Sequence, residues 1–150
     1  MRFLGSSLFV ALALAAGIGL PVQAGVNGQL RAVLGGPVRA SLGSFAVGTL
    51  LLLAVAAVVR EPWPALGPVL RAPWWVWTGG AIGAYFIFST IVVVPRLGSA
   101  MTFALIVGGQ MAAALAIDAF GLFGTPQTPP TLARIAGAAL LALGVLLVRK

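Results

Sequence analysis

The sequence predicts an all-α membrane protein of five transmembrane helices, and three observations predict it. Of its 150 residues 61% are hydrophobic and only 7% charged, against about 25% charged in a soluble domain. The apolar residues fall into five runs near the roughly 20 residues that a helix needs to cross a bilayer. The few charges, nine Lys or Arg against two acids, stand between those runs or near their ends.

The first run, residues 3–23, ends in a cluster of helix breakers and amides: Gly17, Gly19, Pro21, Gln23, Gly25, Asn27 and Gly28. An unbroken helix from Phe3 to Leu34 would be about 48 Å long, well beyond the hydrocarbon core. The expectation is therefore a polar exit into a loop near Gln23; an interrupted helix that offers its backbone dipoles to a solute is the alternative. The same opening looks like a secretory signal with Val22-Gln23-Ala24 as its cleavage pattern. Its apolar run is longer than a usual signal core, so a retained helix is expected.

The second run covers 38–59, after Pro37, and residues 60–73 form a loop rich in proline and charge. The third, 74–94, opens on Trp74, Trp75 and Trp77, with Trp63 nearby, an interfacial aromatic belt; a cage for a cation is the sharper alternative. Only Pro95-Arg96-Leu97-Gly98 separates it from the fourth, 99–120. One continuous helix would be more than twice the bilayer thickness, so a tight hairpin is expected. The loop 121–130 holds three prolines and two glycines, and Thr131 is placed to cap the fifth run, 132–148.

Composition excludes much chemistry. With no Cys and no His, disulfides, Cys nucleophiles, His-based triads and the usual zinc sites are excluded, and no carboxylate pair is available. An enzyme, a metal or a cofactor is not expected. The net charge of +7 is scattered rather than gathered into a stripe, which argues for membrane anchoring and against nucleic acid. Five crossings would put Arg2, Arg60, Arg71 and Arg134 on one side and Arg31, Arg39, Arg96, Arg149 and Lys150 on the other. Four against five barely selects an orientation. The expectation is insertion both ways up and pairing with an inverted copy, an antiparallel homodimer; a paired homologous subunit of opposite bias is the alternative.

Polar residues inside apolar runs are costly and mark candidate sites. Gln110 lies eleven residues into the fourth run, roughly 16 Å along it, directly after Gly108-Gly109. Tyr85 lies eleven residues after Trp74, at a similar depth, with Ser89 one turn later. Gln110, Tyr85 and Ser89, with Gln23 and Asn27, are the candidate substrate-binding residues; hydrogen bonding between helices is the plainer alternative for each. Asp118 and Arg134, on one side of the membrane, are candidates for an ion pair or for proton or cation coupling. Gly79 and Gly83, Gly108 and Gly109, and the stripes Ala40-Ser44-Gly48 and Ala104-Gly108-Ala112-Ala116 are read as helix-packing surfaces.

Residues 19–31 (Gly-Leu-Pro-Val-Gln-Ala-Gly-Val-Asn-Gly-Gln-Leu-Arg), 44–50 (Ser-Phe-Ala-Val-Gly-Thr-Leu), 73–80 (Pro-Trp-Trp-Val-Trp-Thr-Gly-Gly), Pro95-Arg96-Leu97-Gly98, and Gly109-Gln110 followed by Asp118-Ala119-Phe120-Gly121, in that order, resemble the YdcZ-like family of the drug/metabolite transporter superfamily. The resemblance covers nearly the whole chain. It implies one inverted-repeat half of a drug/metabolite transporter-type fold, an EamA-like half-unit of the inner membrane that occurs as dual-topology chains, paired genes or fused doubles. It names no substrate. Small multidrug exporters of the same superfamily carry a proton-exchanging Glu in their first helix; residues 3–23 here hold no acid, so that mechanism is not carried over. The function expected is a small-solute transporter subunit in the lipid bilayer; a non-transporting assembly or accessory protein is the alternative.

Overall fold

The computed structural model describes residues 2–148, with side chains from Ser7 onward. The charges of Arg2, Arg149 and Lys150, which enter the orientation count, lie outside the described side chains. Six α-helices follow one another: α1 (Arg2–Leu34), α2 (Pro37–Val59), α3 (Leu66–Arg71), α4 (Thr78–Leu97), α5 (Ser99–Phe120) and α6 (Leu132–Val148). A 3₁₀ turn, Trp74–Trp77, leads into α4, and another, Leu122–Gly124, follows α5. Four segments are long and apolar enough to cross a membrane: Ser7–Leu34, Pro37–Val59, Trp74–Leu97 and Ser99–Phe120. The last helix, Leu132–Val148, is apolar but shorter at 17 residues. The described chain forms two compact units, one up to Val92 and one from Val93 on.

Local chemistry explains most of the boundaries, and one differs sharply from expectation. α1 does not leave the helix near Gln23 but continues to Leu34, with Pro21 inside it. Glycine and proline penalties are measured in water, where a broken helix can hydrate its backbone; in hydrocarbon every freed N–H and C=O is costly, so the helix persists. Gly35 is what ends it. Its φ of +72 is a conformation that a Cβ disfavours, and its N–H donates to the Arg31 carbonyl at 2.9 Å. Gly36 is extended and Pro37 opens α2 at a position where its missing N–H costs nothing. Arg39 Nη1 donates to the Leu34 carbonyl at 2.8 Å, which satisfies an open carbonyl and sets a cation at the negative end of the α1 dipole.

α2 ends at Arg60, whose left-handed conformation lets Arg60 N–H reach Ala57 O and Glu61 N–H reach Ala56 O, a Schellman-like stop made without glycine. The expected loop after it contains the short helix α3. The third span begins as the 3₁₀ turn of tryptophans and runs to Leu97, past the expected end at Val94 and through Pro95. The link to α5 is consequently shorter than the four residues expected, with Gly98 alone (φ +78) between the helices.

In the first unit α1 packs on α2, and a small core joins them to α4: Ala40, Ile87 and Ile91 are buried, with Leu30, Phe45 and Phe86 against them. Gly43 admits the side chains of Leu34 and Leu30, and Gly83 admits the Phe45 ring at 3.4 Å from its Cβ position. In the second unit α5 packs on α6, with Gly108 3.8 Å from Val145 Cγ2. Gly79 and Gly109 meet no side chain within 4 Å, so of the four glycines read as packing surfaces only two are contacted. The apolar exterior, including Leu14 at 63% and Ile18 at 70% exposure, suits a lipid solvent, in which exposed hydrocarbon carries no cost.

Candidate functional site

The expected site residues fall in very different surroundings. Tyr85 on α4 is 72% exposed; it lines an open groove of about 360 Å³ with Val38, Ser41, Leu42, Phe45, Ala84 and Phe88. Ser89 is half-buried and Gln23 exposed. Gln110 is exposed on α5, in the second unit. Tyr85, Ser89 and Asn27 belong to the first unit. Neither Tyr85 nor Gln110 is hydrogen-bonded among the described residues.

Asn27 is the exception. It is 3% exposed, and its Nδ2 is buried without a hydrogen-bond partner. An amide donor left in this state costs about 1–3 kcal/mol. Because α1 stays helical through Gln23 to Leu34, Asn27 is carried inward beside the buried Ala24 rather than out into a loop. The other buried polar groups are satisfied locally: Ser41 Oγ donates to Pro37 O at 2.9 Å, Thr90 Oγ1 to Ile87 O at 2.8 Å, and Thr102 Oγ1 to Gly98 O at 2.7 Å.

Arg31 is a functional candidate that spacing did not reveal. Its Nη1 donates to the backbone carbonyl of Ile91 at 3.2 Å, 60 residues away. Ile91 is the residue whose carbonyl would accept from position 95 in a regular helix, and Pro95 has no N–H to give. The guanidinium therefore satisfies the carbonyl that the proline leaves open. An arginine at the end of α1 and a proline four residues past an apolar Ile on α4 were both visible in sequence; that they answer one another was not.

In the second unit Arg134 Nη1 lies 3.3 Å from Asp118 Oδ2, with 42% and 39% of the two side chains exposed. The pair borders a groove of about 330 Å³ lined by Met111, Ala114, Leu115, Gly137, Ala138 and Leu141. Asp118 sits near the C-terminus of α5, where a carboxylate opposes the helix dipole, and the arginine offsets it. The carbonyls there are also closed: Gly121 N–H reaches Ile117 O, Thr128 N–H reaches Asp118 O, and Gln127 Nε2 reaches Ala119 O. Thr131 Oγ1 accepts from Arg134 N–H at 3.3 Å, capping α6 as its position suggested. Trp63, Trp74 and Trp77 are exposed, at 78%, 78% and 60%. Among the described residues no group of His, Cys, Asp or Glu could hold a metal ion.

Comparison with known proteins agrees with this architecture of apolar helices. The family described as "Putative inner membrane exporter, YdcZ" matches residues 8–147. The inner membrane protein YdcZ of Escherichia coli (strain K12) is 29% identical over 148 residues, covering 98% of each chain. No solved structure matches the chain. With nearly every residue inside the match, the chain belongs to the YdcZ family of drug/metabolite transporter-type inner membrane proteins.

Proposed function

We propose that this chain is a subunit of a small-solute exporter that works as an antiparallel pair. Five crossings, with α6 as the fifth, form one half of an inverted-repeat transporter, and a second copy inserted the other way up supplies the other half. The description of the matching family as an exporter supports the direction. The near-even charge count on the two sides supports dual insertion.

The observation that carries this reading is the state of Tyr85 and Gln110. Both lie about eleven residues inside apolar spans, and both are exposed without a hydrogen bond among the described residues. A polar group at that depth calls for a polar partner or a wet cavity. In the proposed dimer the two line a central cavity with Ser89 and, on α1, Gln23 and Asn27, and solute moves as the two bundles rock around it. The proposed role of Asp118 with Arg134 is a structural pair at the end of α5. The cargo is a small metabolite or drug-like molecule.

The chain has no cysteine, so single cysteines report cleanly. A cysteine in place of Leu147, beside the C-terminus, should be labelled by a membrane-impermeant maleimide from both faces of sealed vesicles. Labelling from one face alone would refute dual insertion and favour a paired homologous subunit. For transport, proteoliposomes should show solute flux that Gln110→Ala and Tyr85→Phe reduce by about tenfold or more. A pair packed solid, with both substitutions silent, would favour an assembly or accessory role.

A further inference from the structure

Asn27 and Arg31 stand one turn apart on α1 and so on one face of it. Asn27 Nδ2 is buried and without an acceptor. Arg31 spends one guanidinium N–H on Ile91 O and has no carboxylate among the described residues. The chain holds only two acids: Asp118 is paired with Arg134 in the second unit, and Glu61 follows the far end of α2. Arg39, across the Gly35-Gly36 turn, adds a second positive charge at this end and faces only the Leu34 carbonyl. Gly28, half-buried between the two donors in sequence, meets no group from another helix within 4 Å of its Cβ position, so there is open space on that side of it.

We infer that Asn27 and Arg31 form a binding site for an oxyanion, a carboxylate or phosphate group, near the end of α1. The formal charge at this end of α1 is positive, and the polar atom left buried without a partner is a donor. A cation would meet no counter-charge, and a neutral amide or hydroxyl would leave the arginine uncompensated. An oxyanion accepts from the guanidinium and from the amide together, as charge-assisted hydrogen bonds require. Arg31 is exposed and Asn27 is closed off, so the anion reaches the arginine first and the amide once the helices part. As a binding site this stands without transport; as the substrate site of an exporter it rests on the function proposed above and narrows the cargo to anions.

Purified full-length protein in detergent tests this by thermal shift with sodium phosphate or sodium succinate against sodium chloride at equal ionic strength. Saturable stabilisation by either oxyanion is expected, weakened by about tenfold or more in Asn27→Asp, whose carboxylate repels the ligand. Asn27→Leu, which removes the donor without adding charge, should fold and lose the same response. Arg31 is left intact because it also holds Ile91. Native mass spectrometry from phosphatidylglycerol or phosphatidylcholine nanodiscs separates the sources: retention of phosphatidylglycerol alone, lost in Asn27→Asp, keeps the site and assigns a lipid headgroup to it. No response beyond chloride in either format, or unchanged binding in both Asn27 variants, overturns the inference. Phosphate binding without any solute flux would count against the transport reading and leave the site standing.

Discussion

The Ile91 carbonyl joins two residues that sequence spacing keeps apart. Pro95 removes its helical donor, and Arg31 replaces that donor from another helix. Arg31→Ala should therefore lower stability by about 1–3 kcal/mol, the cost of a buried acceptor left open, as read by denaturation in mixed micelles. Pro95→Ala restores an N–H in register with Ile91, so the same arginine substitution should cost less in that background, with a coupling of about 1 kcal/mol. Additive effects would show that Arg31 acts elsewhere. Asn27 behaves oppositely. Its buried donor is unsatisfied, so Asn27→Leu should stabilise the unliganded protein, by up to about 1–3 kcal/mol, a gain visible as a higher melting temperature.

At the scale of elements, the turns carry much of the specification. α4 and α5 are joined through Gly98 alone, at φ +78, with its N–H on Val94 O and its carbonyl taken by Thr102. Gly98→Ala puts a Cβ into a left-handed conformation and should cost about 1–2 kcal/mol, although no atom lies near the added carbon. Loss of less than a few tenths would mean that the link relaxes to another turn. The end of α5 is secured differently, by three carbonyl partners and the Asp118–Arg134 pair. Since both side chains are more than a third exposed, Asp118→Asn should cost only about 0–1 kcal/mol. A larger loss of stability would show that the pair is shielded from solvent in the membrane. Thr131, Gly121 and the prolines made this loop legible in advance; the continuation of α1 past Gln23 was not, because helix-breaker rules describe a chain in water.

For the whole molecule, orientation follows from the balance of Lys and Arg on the two sides of the membrane. In the proposed five-crossing arrangement Arg2, Arg60, Arg71 and Arg134 oppose Arg31, Arg39, Arg96, Arg149 and Lys150, four against five. Arg71 is exposed in the last turn of α3, so Arg71→Ala changes the balance to three against five with little structural cost. The end bearing Arg31 and Arg39 should then turn to the cytoplasm in most molecules. Fusions at the C-terminus report it: fluorescence from a cytoplasmic reporter should rise and the activity of a periplasmic phosphatase fall relative to the unsubstituted chain. An unchanged ratio would show that these charges do not decide insertion.

Hydropathy alone determined the membrane location and the helical class, because a backbone in hydrocarbon must satisfy itself and the helix does so within one segment. It also placed the second and fourth spans to within a residue at each end, where proline, glycine and charge bracket the apolar runs. The family was legible too, in motifs spread along the chain. Only the tertiary structure decided which polar residues are buried. Spacing put Tyr85 and Gln110 at one depth, yet both are exposed, whereas Asn27, which spacing placed in an exit loop, is enclosed with an open donor. Burial depends on which faces of α1, α2 and α4 meet, and the Arg31 bond to a carbonyl 60 residues away is a product of that meeting.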